Sequence, residues 1–226
     1  MGEDSRDGRT EIHNFAFYRI SRQAMDRSGV ERTQMKEEFS GYMENSGLLV
    51  NSYSLAGLRP ETDFMLHFSH ADVLEMQRRL AASRKLQLFR YLETPYTYLC
   101  TKRSSEYSAD GESEVHLKSG EGELLFVYPF IKTREWYLLS PQERRRIMQE
   151  HIMVGRKYPG VRINTAYSFG IGDQDFFLSF DGNDLYAFQT LVMELRNTEA
   201  SRYTVRDTPM FVCVRKELPA LLDELL

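Results

Sequence analysis

Hydrophobic positions in the first half of the chain follow two different periods. Four segments alternate apolar and polar residues, the period of a β-strand, and they span residues 13–21, 47–55, 62–68 and 90–102. Two segments place apolar residues at helical spacing, and they span residues 23–45 and 72–84. The predicted order is β-α-β-β-α-β, a ferredoxin-like unit in which two helices cover one face of an antiparallel sheet.

The second half of the chain repeats this order. Its pattern predicts strands at residues 123–132, 161–169, 175–180 and 209–214. It predicts helices at residues 141–158 and 184–196 and a loop at 133–139. Both halves carry the motif D-F-x-L-x-F-x-x-x-D, which begins at Asp63 and again at Asp175. The chain is therefore predicted to be α+β, a tandem duplication of a ferredoxin-like unit of the dimeric α+β barrel type.

Composition sets the limits of the two units. Residues 104–122 are rich in Ser, Gly, Glu and Asp, which predicts a linker between an N-terminal unit at 13–103 and a C-terminal unit at 123–226. Residues 1–12 predict a flexible tail. The chain ends in an apolar stripe at helical spacing, which must find a core or a neighbouring subunit. The stripe consists of Leu218, Leu221, Leu222, Leu225 and Leu226.

Charge and composition exclude some classes of function. A net charge of −4 and an isoelectric point near 5.8 argue against a general nucleic-acid binder. No apolar run approaches the roughly 20 residues that cross a bilayer, so no membrane span is expected. The polar start lacks the apolar centre of a signal peptide, which predicts a cytoplasmic protein. Cys100 and Cys213 lie in apolar strand patterns and are predicted to be buried free thiols.

One histidine interrupts the apolar stripe of the helix predicted at 141–158. Ile147, His151, Val154 and Tyr158 recur on the inward face, so an imidazole stands where an apolar residue is expected. The histidine is either a core imidazole that is hydrogen-bonded to a neighbour or a ligand of a metal or haem. The haem alternative arises because a lone inward histidine is the usual proximal ligand of a haem. No Cys-x-x-Cys-His motif occurs, so a haem here would be bound noncovalently.

The strand before this helix carries a second candidate group. Strand alternation puts Tyr128, Phe130 and Lys132 on one face of the sheet. A phenol and an ammonium on one face can bind an anionic, redox-active ligand, or they can be a packing ring beside a lysine that reaches solvent. The chain's one tryptophan, Trp136, follows in the predicted loop, where it either caps a pocket or packs on the surface.

These motifs together resemble a known family. Tyr128-Pro-Phe-Ile-Lys132, Trp136-Tyr-Leu-Leu-Ser-Pro141, the helix with His151 and the segment Tyr167-Ser-Phe-Gly-Ile-Gly-Asp173 are similar to the C-terminal half of the chlorite dismutase superfamily. More closely, they resemble its coproheme decarboxylases, the haem synthases of the coproporphyrin-dependent pathway. The resemblance extends over most of the chain. It implies two ferredoxin-like halves, a structural first half and a haem-binding second half, and a homo-oligomeric ring, commonly a pentamer.

The resemblance also implies roles for single residues. His151 corresponds to the proximal iron ligand, and Tyr128 corresponds to a tyrosine that becomes a radical and takes hydrogen from a propionate. Lys132 and Trp136 correspond to residues beside the reacting propionates. Arg196 matches an arginine of the family pattern, and Ser201 matches a serine that bonds a propionate on the far side of the macrocycle. Such a set suits a substrate with four carboxylates, which needs several hydrogen-bond donors.

The implied reaction is the peroxide-dependent oxidative decarboxylation of two propionates of Fe-coproporphyrin III, which yields haem b. Coproheme is then both substrate and cofactor, and hydrogen peroxide is the second substrate. The protein's part is to place Tyr128 against the propionate and to hold the macrocycle.

The residue opposite the proximal histidine is less defined. Counting along the strand predicted at 161–169 leads to Arg162, Ile163 or Asn164, of which Arg162 and Asn164 share one face. An arginine there favours a chlorite dismutase, because its charge can hold chlorite. Three functions therefore stay open: a coproheme decarboxylase, which Tyr128 favours; a chlorite dismutase or other haem peroxidase-like enzyme; and a noncatalytic haem-binding protein.

Overall fold

The computed structural model describes residues 11–103, 117 and 120–226. The predicted tail thus falls almost wholly outside the described residues, as does most of the predicted linker. In the first half, the structure has the predicted β-α-β-β-α-β order. Its elements are β1 Ile12–Ile20, α1 Gly29–Asn45, β2 Leu49–Ser54, β3 Phe64–His70, α2 Val73–Ser83 and β4 Leu92–Thr101, with short 3-10 turns at Arg22–Ala24 and Gln87–Tyr91.

The second half repeats this order and adds three short elements. The repeated elements are β5 Leu124–Lys132, α4 Pro141–Arg156, β6 Arg162–Tyr167, β7 Phe176–Gly182, α5 Leu185–Arg196 and β9 Phe211–Arg215. The added ones are α3 Arg134–Leu138, β8 Thr204–Arg206 and the terminal helix α6 Leu218–Leu225, and a 3-10 turn spans Glu199–Tyr203. The α+β fold class and the duplication are confirmed.

The loop predicted at 133–139 is wrong, because this stretch forms the helical turn α3. The Thr133 hydroxyl caps the turn by accepting a hydrogen bond from the Trp136 backbone N–H at 3.3 Å. A turn of five residues is too short to show a helical period in the sequence.

The strands form one sheet that closes on itself. The order is β7-β6-β4-β1-β3-β2-β9-β5, and β5 pairs back onto β7, while β8 extends β5 at its end. The halves join where Thr101 of β4 pairs with Tyr167 of β6 and where Tyr53 of β2 pairs with Arg215 of β9. Each strand residue therefore faces either the lumen of the barrel or the layer of helices outside it.

The lumen is filled with apolar side chains from both halves. Phe15 lies 4.6 Å from Phe177 between ring centroids, and Phe17 lies 4.2 Å from Phe211, so aromatic contacts cross from one half to the other. Cys100 and Cys213 belong to this cluster as buried free thiols, as predicted, and burial raises the pKa of both. The barrel interior is thus a packed core shared by the two units.

The terminal leucine stripe packs against the first half of the same chain. Leu218, Leu221 and Leu222 of α6 are buried in the core under α1 and α2. The Lys36 ammonium pairs with the Asp223 carboxylate of this helix at 2.6 Å, and α6 thereby ties the end of the second unit onto the first. Among the described residues, no helix is long and apolar enough to cross a membrane.

The repeated motif has the same structural function in both halves. Its first aspartate binds the end of the preceding strand: Asp63 accepts from the Ile20 N–H at 2.7 Å, and Asp175 accepts from the Lys132 N–H at 2.8 Å. Its second aspartate caps the following helix, as Asp72 does for α2. The motif therefore fixes where one strand ends and where the next helix begins.

Replacing the cap residue Asp72 with alanine removes the acceptor for the Leu74 N–H, which Asp72 bonds at 2.8 Å. We expect Asp72→Ala to lower the free energy of unfolding by about 1 kcal/mol in urea denaturation. Asp72→Asn serves as control and should lose only a small part of this, because asparagine caps helices equally well. An equal loss in both variants would contradict the capping role.

Candidate functional site

The sheet face beneath α4 and α5 forms the floor of the candidate site. Strand register puts three rows of directly paired side chains on this face, because directly opposite residues of antiparallel strands point to the same side. The rows are Phe126–Phe180–Ile163, Tyr128–Leu178–Thr165 and Phe130–Phe176–Tyr167. Val154 of α4 and Leu191 and Leu195 of α5 pack over these rows. We call the space between this face and the two helices the slot.

Tyr128 lies in the middle of the slot floor. It is 5% exposed, and its ring stacks on Phe180 at 5.5 Å between centroids. Burial is the main cause that raises the pKa of its phenol, and Asp207 adds to it. The phenol is therefore neutral across the physiological range, so it can give up a hydrogen atom without first carrying a buried charge.

Lys132 lies on the same sheet face at the end of β5. Its ammonium donates a hydrogen bond to the Ala200 carbonyl at 2.8 Å and stands 4.6 Å from the centroid of the Trp136 ring. Burial lowers its pKa to about 8. No described carboxylate lies within ion-pair distance of it, so the slot holds a partly buried cation whose counter-ion is missing from the described residues.

His151 lies on α4, half-buried above the floor. Burial is the main cause that lowers its pKa to about 4, and the Lys132 ammonium lowers it further, so the ring is neutral at pH 7. Its Nδ1 lies 3.5 Å from the Thr198 hydroxyl, whose single hydrogen is donated to the Leu195 carbonyl at 2.7 Å. Thr198 can therefore only accept at Nδ1, which puts the ring hydrogen there and leaves a lone pair on Nε2 for a metal.

The other predicted site residues lie at the edges of the slot. Trp136 is buried and packs on Ile147 of α4 and on Ala200. Arg196, at the end of α5, is exposed and pairs with Asp207 at 2.9 Å. The Ser201 hydroxyl lies 2.8 Å from the Arg196 and Thr198 carbonyls. Both polar groups therefore have partners within the chain and would have to exchange them to bind a ligand.

The structure does not bring Arg162 and Asn164, two of the three candidates for the residue opposite His151, to the slot face. Arg162 pairs with Asp181 and Asn164 with Ser179 in the β6–β7 register, on the lumen side that Ala166 shares. Arg162 forms an ion pair with Glu121. Neither side chain faces the slot, whereas Ile163, the third candidate, does.

Three groups of the site were not predicted from the sequence. Thr165 lies on the slot floor in the row of Tyr128, one position beyond the counted candidates. Thr198 and the Ala200 carbonyl contact His151 and Lys132 from the turn after α5. Strand alternation puts Thr165 on the same face as Ile163, but no signal in the sequence points to Thr198 or to the Ala200 carbonyl. A backbone carbonyl has no residue type, and the turn folds back from a distant part of the chain.

The first half has no such polar slot. β1 and β5, and α1 and α4, begin 112 residues apart, so equivalent positions can be compared directly. Ala16 stands where the second half has Tyr128, Ile20 where it has Lys132, Ala24 where it has Trp136, Phe39 where it has His151 and Phe89 where it has Ser201. Ala24 is buried, and the other four lie in or against a continuous apolar core, in which the Phe39 and Phe89 ring centroids are 5.8 Å apart. The first half has a buried phenol, Tyr18, in this core, but only the second half places a lysine and a histidine in the equivalent space.

Removing the Lys132 charge should stabilise the ligand-free protein. The pKa of this lysine is lowered in the folded state, so folding is penalised below about pH 8, and the penalty disappears as the pH rises toward the ordinary lysine pKa. We expect Lys132→Met to raise the free energy of unfolding at pH 7 by about 1 kcal/mol, after discounting for partial exposure. The difference in free energy of unfolding between Lys132→Met and the native chain, measured by urea denaturation, should be smaller at pH 10 than at pH 7. A gain that is equal at both values would contradict the buried-charge account.

Comparisons with known proteins identify the family of the chain. The family model of chlorite dismutase matches residues 32–216. A coproheme decarboxylase from Mycolicibacterium smegmatis is 32% identical over 203 residues, which cover 87% of each chain. Chlorite dismutase from Candidatus Nitrospira defluvii in complex with imidazole superposes with a TM-score of 0.86 at 26% identity, covering 95% of this chain and 94% of that one. A mutant of that enzyme gives a TM-score of 0.87 at the same identity and coverage. The chain belongs to the chlorite dismutase family of haem-dependent oxidoreductases.

Proposed function

We propose that this protein makes haem b by peroxide-dependent oxidative decarboxylation of two propionates of Fe-coproporphyrin III. The observation that carries the proposal is the pairing of a buried neutral phenol, Tyr128, with a cation that lacks a counter-ion, Lys132, on one sheet face. A carboxylate-bearing substrate would supply that counter-ion. The similarity to a coproheme decarboxylase supports the same reaction.

The chemistry of the slot residues fits a haem. A neutral His151 with its hydrogen on Nδ1 presents the nitrogen lone pair that iron binds. Ile163, Val154 and Leu195 supply apolar walls for a flat macrocycle. Lys132, Arg196 and Ser201 would hold its carboxylates, the last two after exchanging their present partners. When bound, the iron supplies the reaction with peroxide that generates the oxidising equivalents.

Tyr128 would carry the oxidising equivalent to the propionate. The phenol loses a proton and an electron together, because a charged phenolate is disfavoured by burial. The oxygen-centred radical then takes a hydrogen atom from the propionate carbon next to the ring, which restores the phenol. Loss of one further electron and of carbon dioxide leaves a vinyl group. Each propionate thus consumes one hydrogen peroxide and one proton, and it yields one vinyl group, one carbon dioxide and two waters.

Lys132 would orient the substrate for this step. Its ammonium shares the sheet face with Tyr128 and is held by the Ala200 carbonyl and the Trp136 ring, so its position is fixed before the substrate arrives. A charge fixed in a partly buried site binds a carboxylate more strongly than an exposed lysine does. Lys132 is thus a binding residue that brings the propionate toward Tyr128.

The arginine of β6 argues against chlorite as the natural substrate. Arg162 faces the lumen and pairs with Glu121, while the slot face of β6 carries Ile163 and Thr165. A cation that could hold chlorite opposite His151 is therefore missing from this strand. Parallel assays with chlorite test the alternative, because oxygen evolution from chlorite without decarboxylation would favour it over our proposal.

The role of Tyr128 can be tested with Tyr128→Phe. Purified apoprotein is loaded with ferric coproheme, hydrogen peroxide is added slowly, and the porphyrin mass is followed. We expect the native chain to remove two carboxyl groups in steps, and we expect Tyr128→Phe to bind coproheme but to fall to the rate of coproheme and peroxide without protein. Tyr98→Phe, which alters a tyrosine of the lumen cluster, is the matched control and should keep activity. Full decarboxylation by Tyr128→Phe would contradict the radical role.

The role of Thr198 can be tested by removing its acceptor. Thr198→Val keeps the shape of the side chain but cannot accept the Nδ1 hydrogen of His151, so we expect the affinity for ferric coproheme to fall about tenfold. Titrations followed by haem absorbance measure this affinity, and Thr198→Ser should restore most of it. His151→Ala should lose more than Thr198→Val. Equal affinity in Thr198→Val and the native chain would contradict the positioning role.

A further inference from the structure

Trp136 is a second oxidisable ring beside the slot. It is 3% exposed and packs on Ile147 of α4, and His151 lies one helical turn beyond Ile147 on the same helix face. Its ring lies 5.4 Å from the half-buried ring of Tyr203 between centroids. The two rings therefore form a route from the neighbourhood of His151 toward the surface, along which an oxidising equivalent can leave the slot.

The Lys132 ammonium lies against the first ring of this route. It stands 4.6 Å from the Trp136 ring centroid and is held there by the Ala200 carbonyl at 2.8 Å. Burial lowers its pKa to about 8, so it is mostly charged at pH 7. The cation attracts the neutral indole, and it repels the positively charged ring that loss of one electron leaves. Both effects make Trp136 harder to oxidise.

Tyr128 lies in a field of the opposite sign. Burial is the main cause that raises the pKa of its phenol, and the Asp207 carboxylate raises it by more than the Arg196 guanidinium lowers it. These two groups together therefore act on the phenol as a negative charge, which eases the loss of an electron. The charges around the two rings thus favour oxidation of Tyr128 over oxidation of Trp136.

The first half of the chain provides an internal comparison. Ala24 stands where the second half has Trp136, and Ile20 stands where it has Lys132. The tryptophan and the lysine thus occur together in the half that has the slot, and both are replaced in the half that has an apolar core. The pair is therefore a feature of the slot and is not required by the β-α-β-β-α-β fold.

We propose that Lys132 protects Trp136 from oxidation and thereby keeps the oxidising equivalent that peroxide generates available to Tyr128. The proposal rests on the peroxide chemistry of the proposed function, but it does not require decarboxylation. A propionate bound to Lys132 neutralises part of its charge, and that carboxylate is lost when the propionate reacts. Protection is therefore strongest after the substrate is consumed, when peroxide has no propionate at Lys132 to oxidise.

Oxidation of an unprotected Trp136 has a defined product. The indole and one water together give up two electrons and two protons, and the indole keeps the oxygen of that water. The electrons and protons reduce one hydrogen peroxide to two waters. The net products of one indole and one hydrogen peroxide are an indole with one added oxygen and one water, which peptide mass spectrometry detects.

The first test uses the purified chain loaded with ferric haem b, the proposed product. Hydrogen peroxide is added, and the fraction of Trp136 that carries added oxygen is measured at equal haem content. We expect Lys132→Met and Lys132→Gln to oxidise Trp136 about tenfold faster than the native chain, because both remove the charge. Lys132→Arg should stay near the native rate, since a guanidinium keeps the charge over the ring. Lys85→Met, at an exposed lysine of the first half, is the matched control and should behave like the native chain.

The second test uses the apoprotein and needs no haem. Trp136 is the chain's one tryptophan, so its fluorescence reports the charge over its ring. We expect Lys132→Met and Lys132→Gln to shift the emission maximum by the same amount, and we expect Lys132→Arg to leave it near the native value. Quenching by acrylamide measures exposure of the ring and should be equal in all four chains.

Three results would overturn the proposal. They are equal rates of Trp136 oxidation in the native chain and both neutral variants; an emission maximum that loss of the Lys132 charge leaves unchanged; and acrylamide quenching that rises in parallel with oxidation, which would assign the damage to exposure. The two fluorescence measurements decide the matter for a neutral variant that does not bind haem b. Failure to decarboxylate coproheme would overturn the proposed reaction alone, because these tests start from haem b or from the apoprotein.

Discussion

Closure of the eight paired strands into a barrel is the constraint on which the candidate site depends. Once β5 pairs with β7 and β9, and β6 with β4, every side chain of these strands is committed to the lumen or to the helix layer. The alternation separates neighbours in sequence into different environments. Tyr128 and Lys132 thus face the slot while Pro129 faces the lumen, and Ile163 faces the slot while Arg162 and Asn164 do not.

The slot is electrostatically incomplete without a ligand. It contains a partly buried ammonium that no described carboxylate neutralises and an imidazole that burial keeps neutral. In the first half of the chain, alanine, isoleucine and phenylalanine fill the equivalent space with an apolar core. Both halves share the β-α-β-β-α-β elements, so the difference lies in side chains and in the short elements that the second half adds, of which α3 carries Trp136. The second half has polar and titratable side chains where the first half has packing residues, and α6 packs on the first half.

The sequence allowed the order of elements and the faces within single strands to be predicted, because both depend on local periodicity. The repeated aspartates bind the ends of equivalent strands in both halves. The constant sequence offset between the two halves could therefore also be read from the sequence. Closure of the barrel was not readable in the same way, because it joins strands far apart in the chain. The choice among Arg162, Ile163 and Asn164 stayed open for a related reason: a shift of one residue moves a side chain to the other face, and the turn after α4 does not determine that count. Thr198 and the Ala200 carbonyl reach the site through a tertiary contact that no local pattern encodes.

A structure of the chain with bound ferric coproheme tests the central claim most directly. The account predicts one macrocycle per chain in the slot of the second half, with iron bonded to Nε2 of His151, one propionate against the Lys132 ammonium and the phenol oxygen of Tyr128 beside that propionate. It also predicts no macrocycle in the first half, where Phe39 fills the equivalent place. A macrocycle bound elsewhere, or one whose iron has a ligand other than His151, would contradict the account.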